Sequence, residues 1–339
     1  MQKFHTLSEN LIPVMKNILI ALSVLFCCAT GAQEEILVLK TKTGDLEGSL
    51  LIPEQKTPCP LVLIISGSGP TDRNGNNEEM ENNSLKMLAE EFRKSGIASF
   101  RFDKRGIGQS AGVHLDEMEM RPDNFIQDIK EWIDLLSKDK RFGKIIVAGH
   151  SEGSLLGMIA SVKNPKVNGF ISIAGAGRPI DEILKEQFSG TPDNVKEIIY
   201  GMLDKLKKGD TLSNVPPIFY AVFRPSIQFY MIAWMQYSPQ AEIAKLKVPV
   251  LIITGSTDIQ VKEIDAMMLA KAQPKAELKI IKNMNHVLKT CDTLDKAMQT
   301  PIYNNPDLPL HEEFSKAMIE YVTRNFIDVK PVVKPIKED

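Results

Sequence analysis

Ser151 sits in Gly149-His150-Ser151-Glu152-Gly153, with the apolar run Ile145 to Ala148 before it and a helix-like pattern after it. A serine hydroxyl is a weak nucleophile until a nearby base takes its proton, and the base needs a partner to fix its orientation. A sharp strand-to-helix turn would present the hydroxyl; such a turn is strained and crowded, so it favours small residues on both sides. The alternative is that Ser151 is only a small residue where the chain bends. The pentapeptide does not choose between the two, and its context must.

The partners of such a serine are expected after it, acid first and then histidine, each from a loop that follows a later strand. The chain has five histidines. His5 lies in the leader, His114 precedes the serine, His150 adjoins it and His311 opens the last predicted helix. His286, in "KNMNHVLK", directly follows the last predicted strand, where the base is expected. "LIITGSTDIQV" places Asp258 after the preceding strand. Asp265 is its rival further along, inside a predicted helix, and helix capping is the other role open to Asp258.

Acyl transfer also needs two backbone N–H groups aimed at the developing oxyanion. One is expected from Glu152, at a helix start whose dipole favours negative charge. The other is expected from "SGSGPTDRNGN", which follows the first buried strand; the amide of Ser68 fits by position, with Gly69 as the alternative. The glycines let backbone approach closely. A phosphate cradle would need the lysine and spacing of a P-loop, or G-x-G-x-x-G, and neither is present. The Glu152 side chain is expected only to complement the helix start, and Arg105, in "DKRGIGQS", to be structural.

These residues must be carried by an ordered scaffold. "EILVLKTK" (35–42) and the alternating "GDLEGSLLIP" (44–53) read as an exposed antiparallel pair. "LVLIIS" (61–66) is apolar throughout, as in a strand covered on both faces. Helix-spaced apolar residues at 84–95 and 124–138 flank the strand "IASFRF" (97–102). "KIIVAG" (144–149), a helix from about 151, "VNGFISIAGA" (167–176), "VPVLIITG" (248–255), a helix near 261–272 and "AELKIIKN" (276–283) continue the alternation, and a helix over 311–326 ends it. Such alternation predicts an α/β fold with a mostly parallel sheet covered by helices on both faces. Ligands then bind at the carboxyl ends of the strands. The seventy or so residues of 178–246 exceed an ordinary connection. They are expected to form a helical cap over the site, its aromatic and methionine residues mainly packing the cap onto the body.

Composition is that of a soluble globular protein, 43% apolar and 25% charged, and a net charge of −2 gives no reason to expect nucleic acid. "ILIALSVLFCCA" after Lys16-Asn17 is too short to span a bilayer comfortably and is followed by small residues. Residues 1–32 therefore read as a secretory signal cleaved near Ala32–Gln33. The protein is then expected in the periplasm or outside the cell, with no stable membrane insertion once the signal is removed. A membrane anchor, or a lipid on Cys27 or Cys28, is the alternative; Phe26 is bulky for the latter. The segment between signal and sheet leaves no room for a further N-terminal domain, so 33–339 is expected as one domain. Cys59 and Cys291 are expected at opposite ends of the sheet, roughly 20 Å apart, and so unpaired. Neither a metal site nor a cofactor is expected.

Together "GHSEG", "SGSGP", "RFDKRGIGQS", "TGSTDIQV" and "NMNHVLK" make the chain resemble the α/β-hydrolase family from about 35 to 326. It looks most like bacterial capped carboxylesterases that are also similar to serine aminopeptidase-like hydrolases. The resemblance implies Ser151, Asp258 and His286 as a triad and a small-molecule ester as substrate. Ser66-Gly67-Ser68-Gly69 stands where the wider lipase pattern has His-Gly-Gly-Gly, so the choice of oxyanion amide stays open. A peptidase or amidase with the same residues would need an acidic group for the substrate's amine, for which Asp181, Glu182 and Glu186 are available. A binding protein that keeps the fold without catalysis is the remaining reading.

Overall fold

The computed structural model describes residues 34–54, 58–113 and 116–327. The expected leader, with His5, and His114 lie outside the described residues. Eight strands form one sheet in the order β1-β2-β4-β3-β5-β6-β7-β8. β1 (Glu35–Thr41) pairs antiparallel with β2 (Gly44–Leu51), and β2 antiparallel with β4 (Ala98–Phe102). The pairs among β3 (Cys59–Ile65), β4, β5 (Phe142–His150), β6 (Val167–Ile173), β7 (Val250–Gly255) and β8 (Glu277–Ile281) are all parallel.

Burial follows from that order. β3 and β7 lie inside the sheet and are buried at every position, whereas β1, at the edge, has one fully buried residue in seven. Helices α1 (Ser84–Lys94) and α11 (Glu312–Phe326) cover one face, where Leu88, Phe92, Phe314 and Met318 meet Ile64 and Ile146. α2 (Pro122–Leu136) and α9 (Glu263–Ala272) cover the other. There Trp132 is fully buried, with its ring centroid 4.6 Å from that of Phe100. α3 (Glu152–Ser161) is buried at nine of its ten residues, and it leads directly out of the turn that carries Ser151. Cys59 and Cys291 are buried free thiols.

The long insertion between β6 and β7 carries α4 (Ile180–Gln187), α5 (Asp193–Lys207), α6 (Tyr220–Phe223), α7 (Gln228–Trp234) and α8 (Pro239–Ile243). Its inner residues, among them Ile199, Leu203, Phe223 and Met235, form a core separate from the two that cover the sheet. The last described connection adds a short helix, α10 (Lys296–Tyr303), which the sequence pattern does not signal. Among the described residues no helix is long and apolar enough to cross a membrane, and no group of three or more ligating side chains could hold a metal ion.

Candidate active site

The turn at Ser151 is built by what its neighbours lack. Ser151 has φ 54° and ψ −120°, a conformation that L-residues seldom adopt and that is kept only where the surroundings enforce it. Its N–H donates to the Ile173 carbonyl at 2.9 Å, which ties the turn to β6. A Cβ on Gly149 would lie 2.1 Å from the Gly153 oxygen, and one on Gly153 would lie 2.6 Å from the Ile65 and Ser66 oxygens. The glycines on either side of the serine are therefore steric requirements of the turn. A Cβ on Gly67 would come within 3.2 Å of the Ser151 Cβ, so the loop after β3 passes directly beside the hydroxyl-bearing residue.

β7 and β8 deliver the partners. Asp258 follows β7 and is 3% exposed; its Oδ2 accepts from His286 Nδ1 at 2.7 Å. Its Oδ1 accepts the Gln260 and Val261 amides at 2.8 and 2.9 Å. One carboxylate thus orients the histidine and caps its own turn, whereas the helix capping also open to it is not seen: α9 starts from Lys262 without a side-chain cap. His286, 4% exposed, follows β8, and with Nδ1 occupied by Asp258 its Nε2 is the nitrogen left to accept a proton. Ser151 and His286 line one chamber.

Asp265 does something else. Its Oδ1 accepts the amides of Gly177 and Arg178 at 3.1 Å each, and its Oδ2 pairs with Arg178 Nη2 at 2.6 Å. It pins the root of the insertion to α9. Arg105 makes a two-pronged bond to buried Asp128, both contacts at 2.5 Å, and so holds the turn after β4 against α2.

His150, inside the pentapeptide, is not placed as the base. Its Nε2 donates to the His286 carbonyl at 2.9 Å, and the two rings lie 4.8 Å apart. Burial lowers it to about 3, helped by the neighbouring imidazole of His286, so it is uncharged at neutral pH. It braces the loop that carries His286.

Lys104, to which the sequence assigned no role, forms a buried polar group with Glu152 and with Tyr230, one of the aromatics expected only to pack the insertion onto the body. Lys104, 3% exposed, donates to the Gly67 carbonyl, and its Nζ lies 3.8 Å from Glu152 Oε2. Tyr230, on α7, donates to Glu152 Oε1 at 2.5 Å. Burial lowers the Lys104 pKa, partly offset by Glu152, and it raises that of Tyr230 together with the same carboxylate. The Glu152 side chain, expected only to complement a helix start, instead joins the insertion, the Ser151 turn and the Gly67 loop through Tyr230 and Lys104. The signal available was a lysine directly after a fully buried strand, in "FRFDK". Tyr230 had no sequence signal of its own, because its partner lies 78 residues away.

Two chambers meet at Ser151 and Ser68. One, of about 430 Å³, lies under the insertion and is walled by Met120, Phe125, Leu155, Ile183, Tyr230 and Trp234. The other, of about 620 Å³, lies on the His286 side, between the loop after β3 and α10. The carboxylates at the first chamber are committed: Glu117 binds Arg224, and Glu152 binds Tyr230 and Lys104. Asp181 binds Lys207, and Glu186 binds Arg178 and Lys262.

The sheet order, the strained serine turn and an Asp–His pair on the two following strand ends are an arrangement found across one large fold family, and comparison with known proteins agrees. A family model described as Hydrolase_4, serine aminopeptidase S33, matches residues 75–216. The chain has the α/β-hydrolase fold. The chain is 27% identical over 252 residues to the esterase EstD of Thermotoga maritima; the match covers 72% of the chain, which spans 58% of that relative's length. Among solved structures it is similar to Est1E of Butyrivibrio proteoclasticus with ferulic acid bound (TM-score 0.59, 19% identity, 85% of this chain and 98% of the other). It is similar also to GrgF of a Penicillium species (TM-score 0.58, 14% identity, 86% and 99%). At such identities the likeness to these structures concerns the fold.

Proposed function

We propose that the protein is a carboxylic ester hydrolase acting through Ser151, His286 and Asp258. The observation that carries this reading is the pairing of a serine in a strained turn with an Asp258–His286 couple at the same end of the sheet. Ser151 Oγ attacks the ester carbonyl as His286 Nε2 takes its proton. His286 then protonates the leaving alcohol, and afterwards activates the water that releases the acyl group. Asp258 holds the imidazole in the tautomer with its proton on Nδ1 and stabilises the charged form.

The oxyanion falls to the amides of Glu152 and Ser68. Glu152 opens α3, where the first N–H groups of a helix have no intrahelical acceptor. Ser68 lines both chambers where they join, whereas Gly69 lines only the one under the insertion, which favours Ser68. The apolar chamber under the insertion suits an acyl chain.

A peptidase acting from a free N-terminus would need an unpaired carboxylate beside the acyl chamber. Glu117 and Glu152 are both paired, as are Asp181 and Glu186, and Glu182 lines neither chamber. This favours esters over aminoacyl amides. Export through the leader at 1–32 belongs to the same proposal and rests on its sequence pattern; N-terminal sequencing of the mature protein tests it.

The test of the activity compares p-nitrophenyl acyl esters with aminoacyl anilides, with a fluorophosphonate probe alongside. Ester turnover and Ser151 labelling, with turnover reduced roughly a thousand-fold or more in Ser151→Ala, are expected. Full turnover in that variant, or preference for the anilides, overturns the reading.

A further inference from the structure

The two chambers differ in which reacting group faces them. His286 lines the larger chamber and not the smaller; Glu152 and Lys104 line the smaller and not the larger. In acyl transfer the histidine must hand its proton to the leaving oxygen, so that oxygen must lie on the histidine side of the serine. If Ser151 is the nucleophile, the alcohol half of the substrate projects into the larger chamber and the acyl half into the smaller one.

The walls of the larger chamber define what that alcohol is. Asn77, Asn82, Gln299, Thr300, Tyr303 and Asn304 contribute amides and hydroxyls beside Met80, Ile259 and Val287, a more polar lining than the one under the insertion. Gln299 is fully buried, and its Oε1 has no hydrogen-bond partner among the described residues, although its Nε2 donates to the Thr257 and Thr293 carbonyls. A buried acceptor without a donor is unfavourable.

The opposite wall is set in advance. Asp72 Oδ1 accepts the amides of Asn74 and Asn76, and Asn76 Oδ1 accepts those of Asn82 and Asn83. Buried Arg73 is clamped by Asp103 through its backbone amide at 2.7 Å and its Nη2 at 2.7 Å. The chamber's charged residues, Glu79 and Lys296, are of opposite sign, so it presents no net charge to a ligand. Its volume is within the roughly 300–1,000 Å³ of small-molecule sites.

From these observations we infer that the larger chamber is a leaving-group subsite for a neutral, polyhydroxylated alcohol. The substrate class is then an apolar acyl group esterified to a sugar or polyol. This rests on the ester-hydrolase reading above and names the alcohol that reading leaves open.

The experiment uses three butanoate esters with one acyl group: p-nitrophenyl butanoate, hexyl butanoate and glucose esterified at its primary hydroxyl. The glucose ester is expected to exceed the hexyl ester in kcat/KM by roughly tenfold or more, the scale of one or two added hydrogen bonds. Thr300→Leu, at the chamber's rim, is expected to lower that glucose-to-hexyl ratio by about three- to tenfold. Leu155→Ala, which widens the smaller chamber, is expected to shift preference toward longer acyl chains and leave the alcohol ratio in place. Equal or better use of the hexyl ester overturns the subsite, as does an alcohol ratio that responds to Leu155→Ala and not to Thr300→Leu. Loss of all three activities together with fluorophosphonate labelling would instead count against the ester-hydrolase reading itself, so the two failures are told apart.

Discussion

Replacing Tyr230 by Phe removes one oxygen and tests whether the insertion helps to hold the oxyanion amide. The Tyr230 hydroxyl donates to Glu152 Oε1 at 2.5 Å, and both residues are buried, Tyr230 at 5% and Glu152 at 7% exposure. A hydrogen bond to a charged group contributes about 1.5–3 kcal/mol, and a buried acceptor left alone costs a similar amount. Lys104, 3.8 Å from the other carboxylate oxygen, offsets part of this, so a loss of about 2 kcal/mol is expected. If that energy serves to place the Glu152 amide, all of it would appear in kcat as about 30-fold, and partial relaxation as about fivefold. If it serves only folding, kcat stays and the melting temperature falls by several degrees, on the order of 2–4 °C per kcal/mol. The assay is p-nitrophenyl butanoate turnover alongside thermal unfolding for wild type, Tyr230→Phe, Glu152→Gln and the double variant. A fall in kcat within this range and a coupling above about 1 kcal/mol between the two sites are expected. Additivity within about 0.5 kcal/mol, with kcat unchanged, would refute the proposed link between insertion and oxyanion amide.

Asp258→Asn cannot hold the same imidazole tautomer, so fluorophosphonate labelling and ester turnover should both drop roughly 10³- to 10⁴-fold; a loss under tenfold would show that His286 is oriented otherwise. Gly149→Ala puts a methyl group 2.1 Å from the Gly153 oxygen, and urea unfolding should register at least 1–3 kcal/mol, the usual scale of overpacking. His150 is held uncharged down to about pH 3 in the fold. The unfolded chain takes up that proton near pH 6.5. Its contribution is therefore complete above about pH 6.5 and is lost as the pH falls below it, by up to ~1.4 kcal/mol per pH unit. Stability measured from pH 7 to 4.5 should decline more steeply in wild type than in His150→Gln; equal slopes would count against it.

Much of the scaffold was legible because its signals are local. Strands such as Leu61–Ile65 announce themselves by unbroken apolar runs, and α1 by Leu85, Leu88, Ala89 and Phe92 on one face. Their order fixed where an acid and a histidine should follow, and Asp258 and His286 stand as a bonded pair at those places. What escaped were contacts between polar groups far apart in the chain. Nothing near Glu152 shows that its carboxylate meets Tyr230, and nothing near Lys104 shows that it reaches the Gly67 carbonyl. The larger chamber was missed for a related reason. It is closed by α10, whose short sequence around Pro301 carries no clear helical pattern, and by an asparagine-rich loop that reads as ordinary polar surface.

The way the insertion is fastened bears on how such a protein can change over generations. Arg178 and Asp265 clamp the segment where it leaves the sheet, and Tyr230, Arg224 and Tyr237 touch the body through Glu152, Glu117 and Asp123. Ile199, Leu203, Phe223 and Met235 pack on one another in a core of the insertion's own. Substitutions within that inner core can therefore accumulate over generations while the anchor points persist and the serine turn below keeps its surroundings.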